Sequence, residues 1–172
     1  DKAYLDSLIQ YNHVLAQRNR FLKENQASQT DTDVLDILDD QLSRCGSDIY
    51  QKRKEFIENF TPVFSEYYHS ISGGHEDIAL IYSSQLSEGD FAELLSENRQ
   101  KDQQIQFTSV GIHRDDLVLN LGGRSIKYIG SQGQLKTFLV SLKFAQFEFL
   151  RRLKNIPPLL LLDDVFDKLD SK

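Results

Sequence analysis

The chain of 172 residues contains no methionine, no tryptophan, three prolines and one cysteine. With only Cys45 available, no disulfide can form within the chain, and this cysteine usage predicts a reducing, cytoplasmic location. The apolar runs of the chain, such as residues 159–162, are much shorter than the roughly 20 residues that a membrane helix needs, so we expect no membrane segment. The chain also opens without the basic and then apolar pattern of a signal peptide.

The two ends of the sequence lead us to expect that it is part of a longer protein. It begins at Asp1 instead of a methionine, and it ends at Lys172, shortly after a motif that normally leads into further structure. The formal net charge is −6 and the pI is near 5.2, so the average surface repels phosphate backbones. Any contact with DNA is therefore expected from a local basic patch.

The first third of the chain has the apolar spacing of two amphipathic helices. A helix over residues 4–24 is predicted by a stripe made of Leu5, Leu8, Ile9, Leu15, Phe21 and Leu22. Residues 25–32 are polar and predict a turn. A second helix follows, with a kink or restart expected at Pro62 and an end at Gly73-Gly74. Two helices joined by a short turn predict a helical hairpin or short bundle, an arm domain, over residues 1–75.

From residue 77 the apolar period becomes two, which is typical of strands. Leu121-Gly122-Gly123 is the strongest hairpin signal in the chain. The predicted elements are strands over residues 77–82, 104–110, 116–120, 124–129 and 159–162, a short helix after Gly89-Asp90, and a long helix after Ser131. This order predicts an α/β (α+β) fold in which the arm is attached to a domain with a mixed sheet over residues 76–172.

Asp163 and Asp164 directly follow the leucine run of residues 159–162. In many nucleotide-hydrolysing sites a buried strand ends in two such carboxylates, of which the first holds Mg²⁺ and the second orients or deprotonates the attacking water. The same residues also fit a buried strand that simply ends in an acidic turn. The motif alone leaves both interpretations open.

Ser131-Gln132-Gly133-Gln134 begins the predicted long helix. A helix start presents unpaired N–H groups and a positive dipole end to an anion, and a serine hydroxyl can donate to a phosphate oxygen. Gly133 allows a backbone to come close. The alternative is an ordinary helix N-cap formed by Ser131.

Together these motifs resemble the ATPase head of ABC-type proteins, and most specifically the RecF family. Residues 111–117, GIHRDDL, resemble the GPHRDDL segment of that family. Residues 131–137, SQGQLKT, resemble its SQGQQRT signature, and residues 160–165, LLLDDV, resemble its Walker B motif. Residues 4–19 are similar to the start of its helical domain, and residues 167–170 to its D-loop.

The sequence departs from the family pattern in a few places. Ile112 stands where the family has proline, and Leu135 and Lys136 stand where it has glutamine and arginine. The phosphate-binding loop, G-x-x-x-x-G-K-[ST], does not occur in the chain. We therefore expect the chain by itself not to hydrolyse ATP, although the full-length dimer would be a weak ATPase.

The resemblance implies that ATP and Mg²⁺ are cofactors, bound between two copies of the protein. It implies that Asp163 holds the metal ion and that Asp164 is the catalytic residue, which positions water. The nucleotide contacts that it implies are Ser131, Gln132, Gly133, Gln134 and Asp170.

For function, the resemblance implies a DNA replication and recombinational repair protein. Such a protein is a clamp that dimerises with ATP on DNA, at gaps and on single- or double-stranded DNA. It helps to load the recombinase, supports the SOS response and has RecO- and RecR-type proteins as partners. The alternatives are an SMC-like or transporter ABC head, and a non-enzymatic helical interaction module. SMC heads carry far longer arms, and an interaction module would not bind ATP.

Two clusters of basic residues are the candidates for contact with DNA phosphates. One cluster is on the first helix and one is on the second, and the members are Arg18, Arg20, Lys23, Lys52, Arg53 and Lys54. His113 to Asp116 include a histidine and two carboxylates, which is a possible metal or proton-transfer group. A turn stabilised by an Arg–Asp pair is the interpretation that we prefer for that segment.

Overall fold

The computed structural model describes residues 1–24, 32–74, 76–154 and 158–161. Within these ranges the helices and strands, in chain order, are α1 Lys2–Glu24, α2 Thr32–Ser72, β1 Ile78–Ser83, α3 Phe91–Ile105, β2 Asp116–Leu121, β3 Arg124–Ser125, α4 Ile126–Ile129 and α5 Gln132–Leu153. Two 3₁₀ turns lie at Gln85–Ser87 and Ile112–Arg114. The α+β class is confirmed. No helix among the described residues combines the length and apolarity that crossing a membrane requires.

The face that α1 buries differs from the predicted stripe. Leu5 and Ile9 are 54% and 60% exposed, whereas Tyr11, Val14 and Leu22 are buried. With Arg18, which is also buried, these positions are three or four residues apart and form one helix face. Tyr11 and Val14 on this face pack against α2 and α3. The seven-residue leucine pattern located the helix correctly but placed its inner side about one quarter turn away.

Helix α2 continues through Pro62 to Ser72, so the predicted restart at the proline is wrong. Proline removes one N–H donor from a helix, but the flanking Phe60, Val63 and Phe64 are buried in an apolar core and keep the helix in place. The predicted end is confirmed, since Gly73 follows with a φ of 82°.

The chain divides into two compact units, each made of two segments. The first unit comprises Asp1–Glu55 and Tyr82–Asp116, and its core is built from buried side chains of α1, α2 and α3. The second comprises Phe56–Ile81 and the residues from Leu117 onward, with a core that includes Phe64, Tyr68 and Phe138. The domain boundary near residue 75 stays a prediction.

The described strands form a three-stranded sheet in the order β1-β2-β3. Strands β2 and β3 are antiparallel, with Asn120 opposite Ser125 and Leu121 opposite Arg124. The predicted hairpin is therefore confirmed at its turn, where Gly122 and Gly123 have φ of 55° and 74°. Positive φ at both central positions is the geometry of a two-residue turn that matches the twist of the strands.

The second strand of this hairpin is shorter than predicted, because residues 126–129 form helix α4 instead. Ile126 is buried in the core of the second unit, and its carbonyl accepts the amide of Gly130 at 2.8 Å. A Cβ at Gly130 would lie 2.6 Å from that carbonyl oxygen. The apolar residues that suggested a strand thus complete a helical turn that leads into α5.

The predicted strand over residues 104–110 is wrong. Helix α3 extends to Ile105, and Gln106 ends it in the left-handed conformation with φ of 56°. The amide of Thr108 then donates to Asn19 Oδ1 at 2.8 Å, and the amide of Ser109 donates to Asp102 Oδ1 at 2.9 Å. The side chains of Asn19 and Asp102 thus accept the backbone N–H groups that would otherwise donate to a neighbouring strand.

The predicted buried strand is also wrong for residues 159–161. Leu159 and Leu161 are 85% and 84% exposed, and residues 158–161 have no regular structure. A leucine run becomes a buried strand only when neighbouring strands pair with it and other elements cover it. In the part of the chain that the structure describes, the sheet is antiparallel around β2 and no strand pairs with these leucines.

Candidate functional site at the start of helix α5

Ser131 is the N-cap of α5, as one interpretation of the sequence predicted. Its Oγ accepts the amide of Gln134 at 3.2 Å, and its own amide donates to Gln134 Oε1 at 2.8 Å, which completes a capping box. Helix geometry leaves the amides of Gln132 and Gly133 without an acceptor inside the helix. The cap therefore uses two donors and leaves two others, at an exposed position, for a ligand.

The predicted phosphate contacts at Ser131, Gln132 and Gly133 are exposed side by side. The hydroxyl of Ser131 accepts one hydrogen bond from Gln134, and its own hydrogen stays free to donate. The nearest atom to a Cβ built on Gly133 is the Oγ of Ser131 at 3.8 Å, so the surface over this residue is open. This arrangement can bind an anion at the positive end of the helix dipole.

The side chain of Gln134 points into the chain instead. Its Nε2 donates to Glu76 Oε1 at 2.6 Å, and the second carboxylate oxygen of Glu76 accepts a short hydrogen bond from Tyr68. We call Tyr68, Glu76 and Gln134 the Glu76 clasp. The hydrogen bonds from Tyr68 and Gln134 lower the pKa of Glu76, and burial together with this carboxylate raises the pKa of Tyr68. Both polar ends of the Gln134 side chain are thus used within the chain, and its contact with nucleotide stays a prediction.

A cavity of about 480 Å³ adjoins the clasp. It is lined by Glu76, Asp77, Leu121, Gly122, Arg124, Ile129 and Gln134. The amide of Gly122 donates to the carbonyl of Asp77 at 2.7 Å, which ties the hairpin turn to the start of β1. Glu76, which binds Gln134, lies in the loop before β1. This loop therefore holds the start of α5 in addition to the N-cap.

The inner face of α5 fixes the direction in which its start points. Phe138 is buried, and its ring centroid lies 4.7 Å from that of Phe64 and 5.8 Å from that of Tyr68. Ala145, two turns further along, is also fully buried. Packed aromatic rings of this kind contribute roughly 0.5–1.5 kcal/mol per pair beyond the area they bury.

The carboxylates predicted to bind metal and to act on water, Asp163 and Asp164, lie outside the described residues, as does Asp170. Their approach to the start of α5 stays a prediction. Among the residues that the structure does describe, no group of three or more histidine, cysteine, aspartate or glutamate side chains is placed to hold a metal ion.

The segment of residues 111–115 is held by an Arg–Asp pair, but the arginine comes from α2. Arg53 Nη1 donates to Asp115 Oδ2 at 2.8 Å and to the carbonyl of Ile112 at 2.9 Å. The guanidinium of Arg114 lies over the ring of Phe107, 5.0 Å from its centroid. The sequence motif therefore has a structural role here, because it attaches this segment to the helices.

His113 is part of the same attachment. Its Nε2 lies 3.1 Å from the carbonyl oxygen of Thr108, which can only accept, so this nitrogen carries the hydrogen. Its Nδ1 then accepts from the hydroxyl of Tyr11 at 2.8 Å. Burial lowers the pKa of His113 and raises that of Tyr11, so both groups are held neutral.

Arg18 was a candidate DNA contact, and that prediction is wrong. Its side chain is fully buried and donates to Asp39 Oδ1 at 2.6 Å and to Asp102 Oδ2 at 2.7 Å. It also donates to Thr108 Oγ1 at 3.0 Å. We call Arg18, Asp39, Asp102 and Thr108 the Arg18 cluster. The sequence did hold a signal for it, since Arg18 occupies the apolar face of α1 at helical spacing from Val14 and Leu22.

The other basic candidates differ in how accessible they are. Arg53 is paired with Asp115, and Lys52 Nζ lies 2.8 Å from Asp1 Oδ2. Arg20 is exposed and pairs with Glu24 on the same helix. Lys23 and Lys54 are exposed. The two predicted clusters therefore retain few cations that can reach a phosphate.

None of the protein-family models matches the chain. The chain is 48% identical over 172 residues to the DNA replication and repair protein RecF of Flavobacterium johnsoniae, an alignment that covers 99% of this chain and 48% of that protein. It is also 48% identical over 171 residues to RecF of Parabacteroides distasonis, covering 99% of this chain and 46% of that one. The chain thus spans about half the length of these relatives.

A solved structure of the recombination mediator protein RecF with ATP, from the RecFOR pathway, has the same fold. The TM-score is 0.89 at 31% sequence identity, and the match covers 99% of this chain and 48% of that one. A second structure, described as RecF-ATPrS, gives a TM-score of 0.88 at 30% identity, with the same coverage. Sequence and fold agree along almost the whole chain, and the chain belongs to the RecF family of DNA replication and repair proteins.

Proposed function

We propose that this chain is the part of a RecF-type DNA repair ATPase that closes on ATP bound by a second copy of the protein. The observation that carries the proposal is the start of α5, where the cap formed by Ser131 leaves the amides of Gln132 and Gly133 directed at solvent. A solved relative that matches along 99% of this chain contains ATP, which supports a triphosphate as the anion.

The chemistry of the site suits the end of a triphosphate. Two backbone amides, one hydroxyl and the positive end of a 22-residue helix favour a highly charged phosphate over neutral ligands. In this proposal Asp163 holds Mg²⁺, Asp164 positions the attacking water and Asp170 contacts the nucleotide in the assembled dimer. The metal ion would supply neutralisation of the phosphate charge.

The function that follows is an ATP-dependent clamp on DNA. Dimerisation with ATP would enclose DNA at gaps and on single- or double-stranded regions, and hydrolysis would release it. RecO- and RecR-type proteins are the proposed partners in loading the recombinase and in supporting the SOS response, and a chromosomal substrate implies action in the cytoplasm. The identity to RecF proteins favours this function over the SMC-like and transporter alternatives.

The test is Ser131→Arg in the full-length protein. An arginine fills the space in front of the two free amides and removes the cap oxygen, so we expect ATP-dependent dimerisation, measured by light scattering, to be lost. Gln146→Arg places the same side chain at an exposed position on the same helix and should dimerise normally. Ser131→Thr, which keeps the hydroxyl and a good cap, should retain most dimerisation. Normal dimerisation of the Ser131→Arg variant would overturn the proposal.

A further inference from the structure

The charge of the described residues is distributed very unevenly. Residues 117–154 contain seven basic residues and a single acidic one, in a chain whose net charge is −6. The basic residues are Arg124, Lys127, Lys136, Lys143, Arg151, Arg152 and Lys154. The acidic residue, Glu148, is buried and accepts hydrogen bonds from Arg151 and Arg152 at 2.7 and 2.8 Å. Although the chain as a whole is acidic, positive charge is thus concentrated on β3, α4 and α5.

Five of these cations form no ion pair within the described ranges, and four of the five precede the last turn of α5. Arg124, Lys127 and Lys143 are exposed and Lys136 is half-buried. None of the four forms an ion pair with another residue in the described ranges. They contrast with Arg18 and Arg53, whose charges are used inside the chain.

Two of the four cations lie on the segment that leads into α5, and the other two lie on α5 itself. Arg124 lines the cavity that contains Gln134, so it lies beside the first turn of α5. Lys127 is on α4, which leads through Gly130 into that turn. Lys136 and Lys143 are seven residues apart on α5, which places them on the same side about 10 Å apart along the axis.

An exposed aromatic ring lies next to Lys127. Tyr128 is 84% exposed, the highest value among the tyrosines and phenylalanines with large exposure. Aromatic rings beside cations are the elements with which proteins bind unpaired bases and their phosphates. Neither a free phosphate nor a metal ion would use this ring.

We propose that Arg124, Lys127, Lys136 and Lys143, together with Tyr128, form the surface that binds a DNA strand. We call these five residues the basic face. The proposal rests on the proposed function as a DNA-binding protein and replaces the clusters on α1 and α2 as the DNA contact. Phosphates follow one another at about 3.4 Å of axial rise along one strand, so the roughly 10 Å between Lys136 and Lys143 spans about three of them. Lys and Arg at this spacing neutralise a backbone, and Tyr128 stacks on a base where the strand is unpaired.

The experiment measures DNA binding by fluorescence anisotropy with the full-length protein, over a range of salt concentrations. In Lys127→Gln/Lys143→Gln, loss of two phosphate contacts should reduce the salt slope of log K on single-stranded DNA by about 1.4 and weaken binding on the order of tenfold near 0.1 M salt. The matched control is Lys23→Gln/Lys54→Gln, which removes two exposed lysines from the first unit and should bind like wild type.

Tyr128→Ala separates base stacking from charge. We expect at least a fivefold loss of affinity for single-stranded DNA and less than a twofold change for duplex DNA, because paired bases do not reach the ring. ATP-dependent dimerisation is measured for every variant and should not change. Loss of dimerisation with normal DNA binding would show that this face meets the second copy, and would overturn the proposal.

An unchanged salt slope in Lys127→Gln/Lys143→Gln, with wild-type protein that binds DNA, would overturn the basic face and leave the proposed function intact. Failure of the wild-type protein to bind any DNA, with or without ATP, would overturn both. The two failures are therefore distinguishable.

Discussion

Gln134 Nε2 donates to Glu76 Oε1 at 2.6 Å, although the two residues are 58 positions apart in the chain. The carboxylate of Glu76 also binds the hydroxyl of Tyr68, near the end of the long helix α2. The first turn of α5 is thus attached through one carboxylate to α2. A movement of that end of α2 would therefore be transmitted through Glu76 and Gln134 to the amides that are proposed to bind phosphate.

Glu76→Ala should disturb this attachment. Removing the carboxylate leaves the amide of Gln134 without its acceptor, and we expect a loss of about 1 kcal/mol in the free energy of unfolding because the group is only half-buried. ATP-dependent dimerisation should weaken as well. Denaturant unfolding and light scattering measure the two effects, and Glu76→Gln, which keeps an acceptor for Gln134, should come close to wild type. Equal dimerisation by Glu76→Ala and wild type would contradict a role for the clasp in positioning the site.

Arg18→Met should be strongly destabilising. It leaves Asp102 buried without a cation and Asp39 with Arg99 alone, and breaking a buried pair in this way costs roughly 3–5 kcal/mol. Urea unfolding measures the change. Arg20→Met, on the exposed side of the same helix, is the matched control and should hardly change the stability. A similar small effect for both variants would show that the Arg18 cluster does not hold the three helices together.

Gly111→Ala should destabilise the first unit. Its φ is 126°, and a Cβ would lie 2.6 Å from the hydroxyl oxygen of Tyr11 and 2.7 Å from Cζ of Phe91. Strain and overlap together should cost more than about 2 kcal/mol. The control is Gly89→Ala, where nothing lies within 4 Å of the added atom and the stability should hardly change. Thermal unfolding distinguishes the two, and a stable Gly111→Ala protein would mean that this close approach does not occur.

The stability should depend on pH through His113. Burial lowers its pKa below the ordinary value of 6.5, so the unfolded chain binds a proton more readily than the folded one. The stabilisation that comes from the neutral, buried His113 is fully present above about pH 6.5 and is lost as the pH falls below that value. His113→Gln, which cannot titrate, should therefore lose less stability than wild type between about pH 7 and pH 5. Parallel pH profiles of unfolding for the two proteins would contradict a neutral, buried His113.

Local signals in the sequence predicted much of the fold. Ser131 with Gln134 three residues later marks a helix start, and Gly122-Gly123 marks a hairpin, because a cap and a turn are each decided by a few adjacent residues. These are the elements that form the candidate site. Its attachment to Glu76 was not predicted, since a hydrogen bond between distant residues leaves no periodic pattern.

The wrong predictions have a common physical reason. Arg18 looked like a surface cation until Asp39 and Asp102 were seen to enclose it, and those partners are 21 and 84 residues away. Leu159 and Leu161 were expected in a buried strand from their hydrophobicity, but within the described ranges no strand pairs with them and both are exposed. Periodicity predicts the kind of element, whereas burial and pairing depend on tertiary contacts.

Gly130 helps to set the orientation of the start of α5. Its φ of −68° and ψ of 133° suit any amino acid, so the residue is not a hinge that exploits glycine's freedom. What excludes a larger residue is the carbonyl of Ile126, which occupies the volume that a methyl group would need. The connection between α4 and α5 is therefore fixed by this close contact, and the orientation of Ser131 depends on Ile126, which is buried in the core. We expect a single added carbon at this position to displace α5 from α4 and to change the direction of the amides of Gln132 and Gly133, which are proposed to bind phosphate.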